Sequence, residues 1–112
     1  MIRVSVRERA GVPALIEADG HAQRGPDGMS AACAAVSVVL KALGLELIGN
    51  DGCRVTGDLE SPGRYRLEII RCDDLRWLRG VWDLSRRILG EIVREWPREV
   101  EFTVIEESTD GT

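Results

Sequence analysis

Gly20-His21-Ala22-Gln23-Arg24-Gly25-Pro26-Asp27-Gly28-Met29-Ser30-Ala31-Ala32-Cys33-Ala34-Ala35-Val36-Ser37 is the stretch around which the rest of the chain is arranged. It carries the only histidine and one of three cysteines, twelve positions apart. Gln23 to Gly28 has two glycines and no apolar residue, the composition of a mobile loop. From Met29 to Leu47 an alanine-rich apolar run follows, which reads as a buried helix. The loop therefore separates two ordered elements, with His21 ending one and Cys33 opening the next.

The helix start can be placed more finely. Ser30 is a good N-cap, which makes Ala31, Ala32 and Cys33 the first three helical positions. Unsatisfied N–H groups and the positive end of the helix dipole favour an anion there. Such a site raises the thiolate fraction of a cysteine, and a nearby imidazole raises it further. The same residues also admit a plainer reading. Cysteine is among the most buried residue types and packs as a small hydrophobe, and a lone histidine is more often structural than catalytic. Spacing alone leaves both open.

Working outward, Ile2, Val4 and Val6 alternate with Arg3, Ser5 and Arg7, the pattern of a half-buried strand. Ala10-Gly11 marks a turn. Pro13 to Ala18 forms a second strand, with Ala14, Ile16 and Ala18 expected on one side. The first helix carries Cys33, Val36, Val39, Leu40 and Leu43 on one stripe and is expected to end near Gly44. After the turn at Gly49 to Gly52 come strands at Cys53 to Asp58 and Arg64 to Arg71, joined by Ser61-Pro62-Gly63. Asp73 or Asp74 caps a second helix whose apolar face reads Leu78, Val81, Trp82, Ser85, Ile88, Leu89, Ile92 and Trp96. Trp77 falls off that face, at a dimer contact or the lip of a substrate groove; Arg86 and Arg87 belong to a solvated face. Pro97 stops the helix. A last strand, Glu99 to Glu106, points Val100, Phe102 and Val104 inward, and Ser108 to Thr112 reads as a disordered tail. The fold class is α+β: one domain over residues 1–112, ordered ββαββαβ, with two helices on one face of a largely antiparallel sheet.

Composition narrows the function classes. At 112 residues, 44% hydrophobic and 30% charged, this is an ordinary globular chain. The net charge of −4 argues against direct nucleic-acid binding and suits a basic protein partner. The N-terminus lacks a signal-peptide core, and no apolar run is expected to reach membrane-spanning length, so the expected residence is cytoplasmic, away from any membrane. In that compartment Cys33, Cys53 and Cys72 should stay reduced. Cys53 and Cys72 have no basic partner in sequence and read as structural. With one histidine and no Cys-x-x-Cys, no metal site is expected.

The combination of Gly20-His21-Ala22, Gly28 five residues before the cysteine, and Cys33-Ala34-Ala35-Val36-Ser37 resembles the ribosomal-processing cysteine protease family of bacteria. The later segment Trp77 to Val100, with Gly80, Leu84, Ile88, Ile92 and Pro97, is similar to that family's second helix and the proline after it. One position departs from the pattern. The family usually has aspartate three residues before the cysteine, where this chain has Ser30; both residues cap a helix, but the carboxylate is lost, and Asp27 is a candidate to replace it.

The resemblance implies a cysteine endopeptidase with a Cys33–His21 dyad, no cofactor and a homodimer. Its implied substrate is a short N-terminal extension on a large-subunit ribosomal protein, cut within an apolar, phenylalanine-containing sequence. Cys33 would attack the carbonyl, with His21 as base and then acid. Backbone N–H groups around Cys33 and Ala34 are oxyanion-hole candidates, and Ser30 and Asp27 are orientation candidates. Gly20 and Gly28 would be hinges of a loop that closes on substrate. Two other classes remain beside this one: a non-catalytic ribosome-associated or protein-interaction module, which needs neither His21 nor the loop, and a thiol redox sensor, which would want a second cysteine near Cys33.

Overall fold

The computed structural model describes residues 1–20, 30–61 and 63–107. His21, Asp27 and Gly28, the loop between them, and the C-terminal tail lie outside the described residues. The order is β1 (Ile2–Arg9), β2 (Val12–Asp19), α1 (Ala31–Ile48), β3 (Cys53–Asp58), β4 (Arg64–Cys72), α2 (Leu75–Glu95) and β5 (Val100–Glu106). The five strands form one sheet in the order β3-β4-β2-β1-β5. Its pairs are antiparallel except β1 with β5. This is the expected ββαββαβ arrangement.

Alternation builds the core. In β1 the buried residues Ile2, Val4, Val6 and Glu8 alternate strictly with exposed ones. The helices cover that face with Val36, Leu40, Leu43 and Leu47 from α1, and Leu78, Trp82, Leu89 and Ile92 from α2. Asp74 is the N-cap of α2, its carboxylate accepting from the Trp77 N–H at 3.0 Å. At the other end Trp96 caps the helix, with Pro97 next.

Four expectations need correction. First, Ala14 does not join Ile16 and Ala18 in the core. A bulge between Arg7 and Glu8 pairs Glu8 with Pro13, so Pro13 is buried and Ala14 is only half-buried. Glu8 continues the buried alternation of β1, and its carboxylate accepts from Trp82 Nε1 at 2.6 Å and from Arg86 at 2.8 Å. Arg86 is thus tied to the core edge rather than wholly solvated.

Second, α1 runs through Gly44 to Ile48 and is capped at Gly49. Gly44 is buried, and a Cβ there would meet Leu59 Cδ1 at 2.8 Å. The glycine marks a close approach, not a helix end.

Third, Cys53 and Cys72 are joined in a disulfide rather than reduced. They are register partners on β3 and β4, with Cα atoms 4.1 Å apart. Strand pairing brings them together, which a count of cysteines by compartment does not register.

Fourth, α1 is long and apolar enough to cross a membrane by length and composition. One stripe of it packs in the core, while Val38, Leu45 and Ile48 stay exposed on the outer side.

Candidate active site

Cys33 sits in the first turn of α1, half-buried, and is the free cysteine. Ser30 holds that turn in place. Its hydroxyl oxygen accepts from the Cys33 N–H at 3.0 Å, and its carbonyl accepts from the Ala34 N–H at 3.1 Å. Serine therefore does the capping that the sequence pattern assigned to it. The two N–H groups nearest the sulfur, those of Cys33 and Ala34, are already bonded to Ser30. The N–H groups of Ala31 and Ala32 come earlier in the turn, where helix geometry offers no intrahelical acceptor.

Gly20 ends β2 on the other side of the same cleft. Its φ of 95° lies in the left-handed region, and a Cβ there would come within 2.2 Å of the Met1 carbonyl oxygen. Its N–H donates to the Gly63 carbonyl at 3.2 Å. Only glycine fits this strand end, and it sets where the chain leaves towards His21.

The cleft itself has a volume of about 360 Å³. Its floor is apolar, formed by Ile2, Val36, Leu40, Leu59 and Tyr65. Cys33, Ser37 and Lys41 line it at successive turns of α1, and Asp19, Ser61 and Arg64 stand on the strand side. Tyr65 lies partly buried and donates to the Leu40 carbonyl at 2.8 Å, and burial pushes its phenol well above the usual tyrosine range. The connection carrying Leu59 and Ser61 is shaped by Asp58. Its carboxylate accepts from the Ser61 hydroxyl and from the N–H groups of Glu60 and Ser61, both at 3.1 Å. The Ser61 hydroxyl, then those N–H groups and Arg64, hold the Asp58 carboxyl below its ordinary range.

A wider concavity of about 520 Å³ lies on the open face of the sheet. It is lined by paired charges, among them Arg3 with Glu101 and Arg66 with Glu17, together with the hydroxyl residues Ser5, Thr103 and Tyr65, and no cysteine lines it. The free thiol lines the smaller cleft. Of the expected site residues, the structure brings Cys33 and Gly20 to one cleft and places Ser30 and Ala34 in the turn that holds Cys33. Sequence reading missed Leu59, Tyr65 and Lys41. The available signal was Leu59, a lone apolar residue between Asp58 and the turn at Ser61.

The fold is an α+β domain, a five-stranded sheet backed by two helices, with a free thiol in the first turn of one helix on the wall of a cleft. The chain belongs to the cysteine protease Prp family, whose model matches residues 1–76. That match ends early in α2, so the likeness over the second helix rests on structures. The fold is similar to a ribosomal processing protease Prp from S. aureus, crystallised with a covalently linked product peptide, at TM-score 0.80 and 21% identity over 93% of this chain and 99% of that one. The same S. aureus protease with a substrate peptide gives TM-score 0.73 at 21% identity and the same coverage. SMU.848 from Streptococcus mutans gives TM-score 0.72 at 21% identity, covering 96% of this chain and 99% of that one. Among curated protein sequences, none matches this chain.

Proposed function

We propose that the chain is an endopeptidase that works through a Cys33–His21 dyad. The observation that carries this reading is the free Cys33 thiol, in the capped first turn of α1, on the wall of a cleft that also receives Gly20, the residue before His21. His21 takes the thiol proton, and the Cys33 thiolate attacks the scissile carbonyl carbon. The tetrahedral intermediate collapses to a thioester as the amine leaves with the proton from His21. Water, deprotonated by His21, then hydrolyses the thioester and the thiol is restored.

First-turn N–H groups of α1 are the oxyanion donors in this account. Ala34 serves only by sharing its N–H between Ser30 and the oxyanion, an arrangement common at helix termini. With Ser30 engaged in capping, Asp27 is the remaining carboxylate candidate for orienting His21. Gly20 and Gly28 bound the segment that would close over substrate.

The substrate follows from kinship. The S. aureus relative is a ribosomal processing protease solved with peptides. For this chain we propose the N-terminal extension of a large-subunit ribosomal protein, cleaved in the cytoplasm by a homodimer that needs no cofactor, nucleic acid or membrane. Incubation with a peptide spanning that N-terminus, followed by mass spectrometry, tests the reading. One cut at an apolar site, absent in Cys33→Ala, is the expected result; an intact peptide under conditions where the protein is folded contradicts it.

A further inference from the structure

We propose that two copies of this chain pack through the outer face of α1, helix beside parallel helix, with Lys41 of each copy paired to Glu46 of the other. This gives a face to the homodimer named above and rests on that assembly, but it needs nothing of the protease chemistry. Ala31, Ala35, Val38, Ala42, Leu45 and Gly49 recur at alternating intervals of four and three residues, the spacing of a coiled-coil seam. Helical periodicity puts them opposite the core stripe of Val36, Leu40, Leu43 and Leu47. All are exposed except the half-buried Ala35, with Val38 and Leu45 at 68% and 57%. A helix laid on a sheet ordinarily carries polar groups on that side. Here α1 has two apolar seams, and its own fold covers one of them.

The charges on α1 select the occupant. Lys41 and Glu46 are its only charged residues, one on each flank of the seam. Five positions apart, they stand too far round the helix to meet each other. Among the described residues neither has an ion pair. Parallel helices in register bring one flank of each beside the other flank of its neighbour. Lys41 then meets Glu46 of the second copy, and the two-fold repeats the contact in reverse. An antiparallel pair centred on the seam would set the two Lys41 flanks together instead. Ala31, Ala35 and Ala42 let the helices come close, while Val38 and Leu45 meet their own counterparts in the layers between. Lys41 also lines the Cys33 cleft, so Glu46 of the second copy would stand at the cleft's edge.

Analytical ultracentrifugation over a concentration series tests this. Unmodified protein should sediment at twice the mass of one chain. Val38→Glu and Leu45→Glu each bury a charge in the seam and should raise the dimer Kd by about a hundredfold or more. Lys41→Glu and Glu46→Lys change exposed residues only, so they keep the test usable if a seam variant fails to fold. Each alone should weaken the dimer by about tenfold, and mixing the two proteins should restore it as a heterodimer. In a Cys33→Ala background, Leu45→Cys should cross-link to itself when oxidised with copper phenanthroline, because parallel register sets the two side chains together. Absence of that cross-link in dimeric protein overturns the parallel packing. A dimer indifferent to the seam variants and to mixing lies on another face, and the inference falls while the homodimer stands. A monomeric wild-type protein overturns both, including one that instead binds phosphatidylcholine vesicles through α1. Peptide cleavage is read separately: dimeric protein that cuts nothing counts against the protease reading, not against this interface.

Discussion

The Tyr65 hydroxyl donates to the Leu40 carbonyl across 2.8 Å, tying β4 to α1 at the floor of the cleft that holds Cys33. Gly44, one turn further along the helix, leaves room for that approach. Removing the hydroxyl in Tyr65→Phe should cost about 1 kcal/mol of stability, the net worth of one such bond. Urea unfolding measures it.

The same group gives a pH dependence with a definite sign. Burial raises the folded-state pKa of Tyr65, so the fold favours the neutral phenol. The stabilisation is complete below the unfolded value of about 10 and is lost as pH rises from there through the folded pKa. Tyr65 is the only tyrosine, so tyrosinate absorbance reports it alone. Native protein should resist ionisation where urea-unfolded protein ionises, and Tyr65→Phe should lose this part of the alkaline slope.

Glu8 and Trp82 form the second polar anchor, buried behind β1. Glu8→Ala leaves the Trp82 N–H without its acceptor and should destabilise by about 3 kcal/mol. Denaturant midpoints followed by tryptophan fluorescence would show it.

The disulfide is open to direct counting. Denatured without reductant, the protein should titrate one thiol, that of Cys33, and three after reduction. Closing a 19-residue separation predicts about 3 kcal/mol of stabilisation, which Cys53→Ser with Cys72→Ser should remove. Three free thiols before reduction would show that the pair does not form.

Gly20→Ala should be disproportionately harmful for a methyl group. It forces a positive φ on alanine and drives a carbon into the Met1 carbonyl, a loss expected to exceed about 2 kcal/mol. A thermal shift no larger than that of an exposed Ala substitution would contradict the strand-end geometry.

Much of this architecture was legible in period and punctuation. Alternation in Ile2, Val4 and Val6 located β1, and Ser30 marked the start of α1 to the residue. What escaped depended on contacts between distant segments. A bulge shifts the phase of β2 without changing its composition, so Ala14 and Pro13 exchanged sides. Gly44 looks like a stop signal until Leu59 and Tyr65, far away in the chain, are seen to occupy its missing Cβ. Cys53 meets Cys72 only once the β3–β4 register is known. The nucleophile candidate could be read from the motif and its cap. The cleft around it could not, because its floor is assembled from β1, α1, β4 and the β3–β4 connection.

The central claim is that Cys33 is the nucleophile, and acid-quenched mass spectrometry of the protein with the ribosomal-protein peptide tests it most directly. The expected result is a pair of product peptides with a transient acyl adduct mapped to Cys33. Both should be absent in Cys33→Ala and in a folded His21→Ala. Cleavage that survives Cys33→Ala, or an adduct on any other residue, would contradict the account.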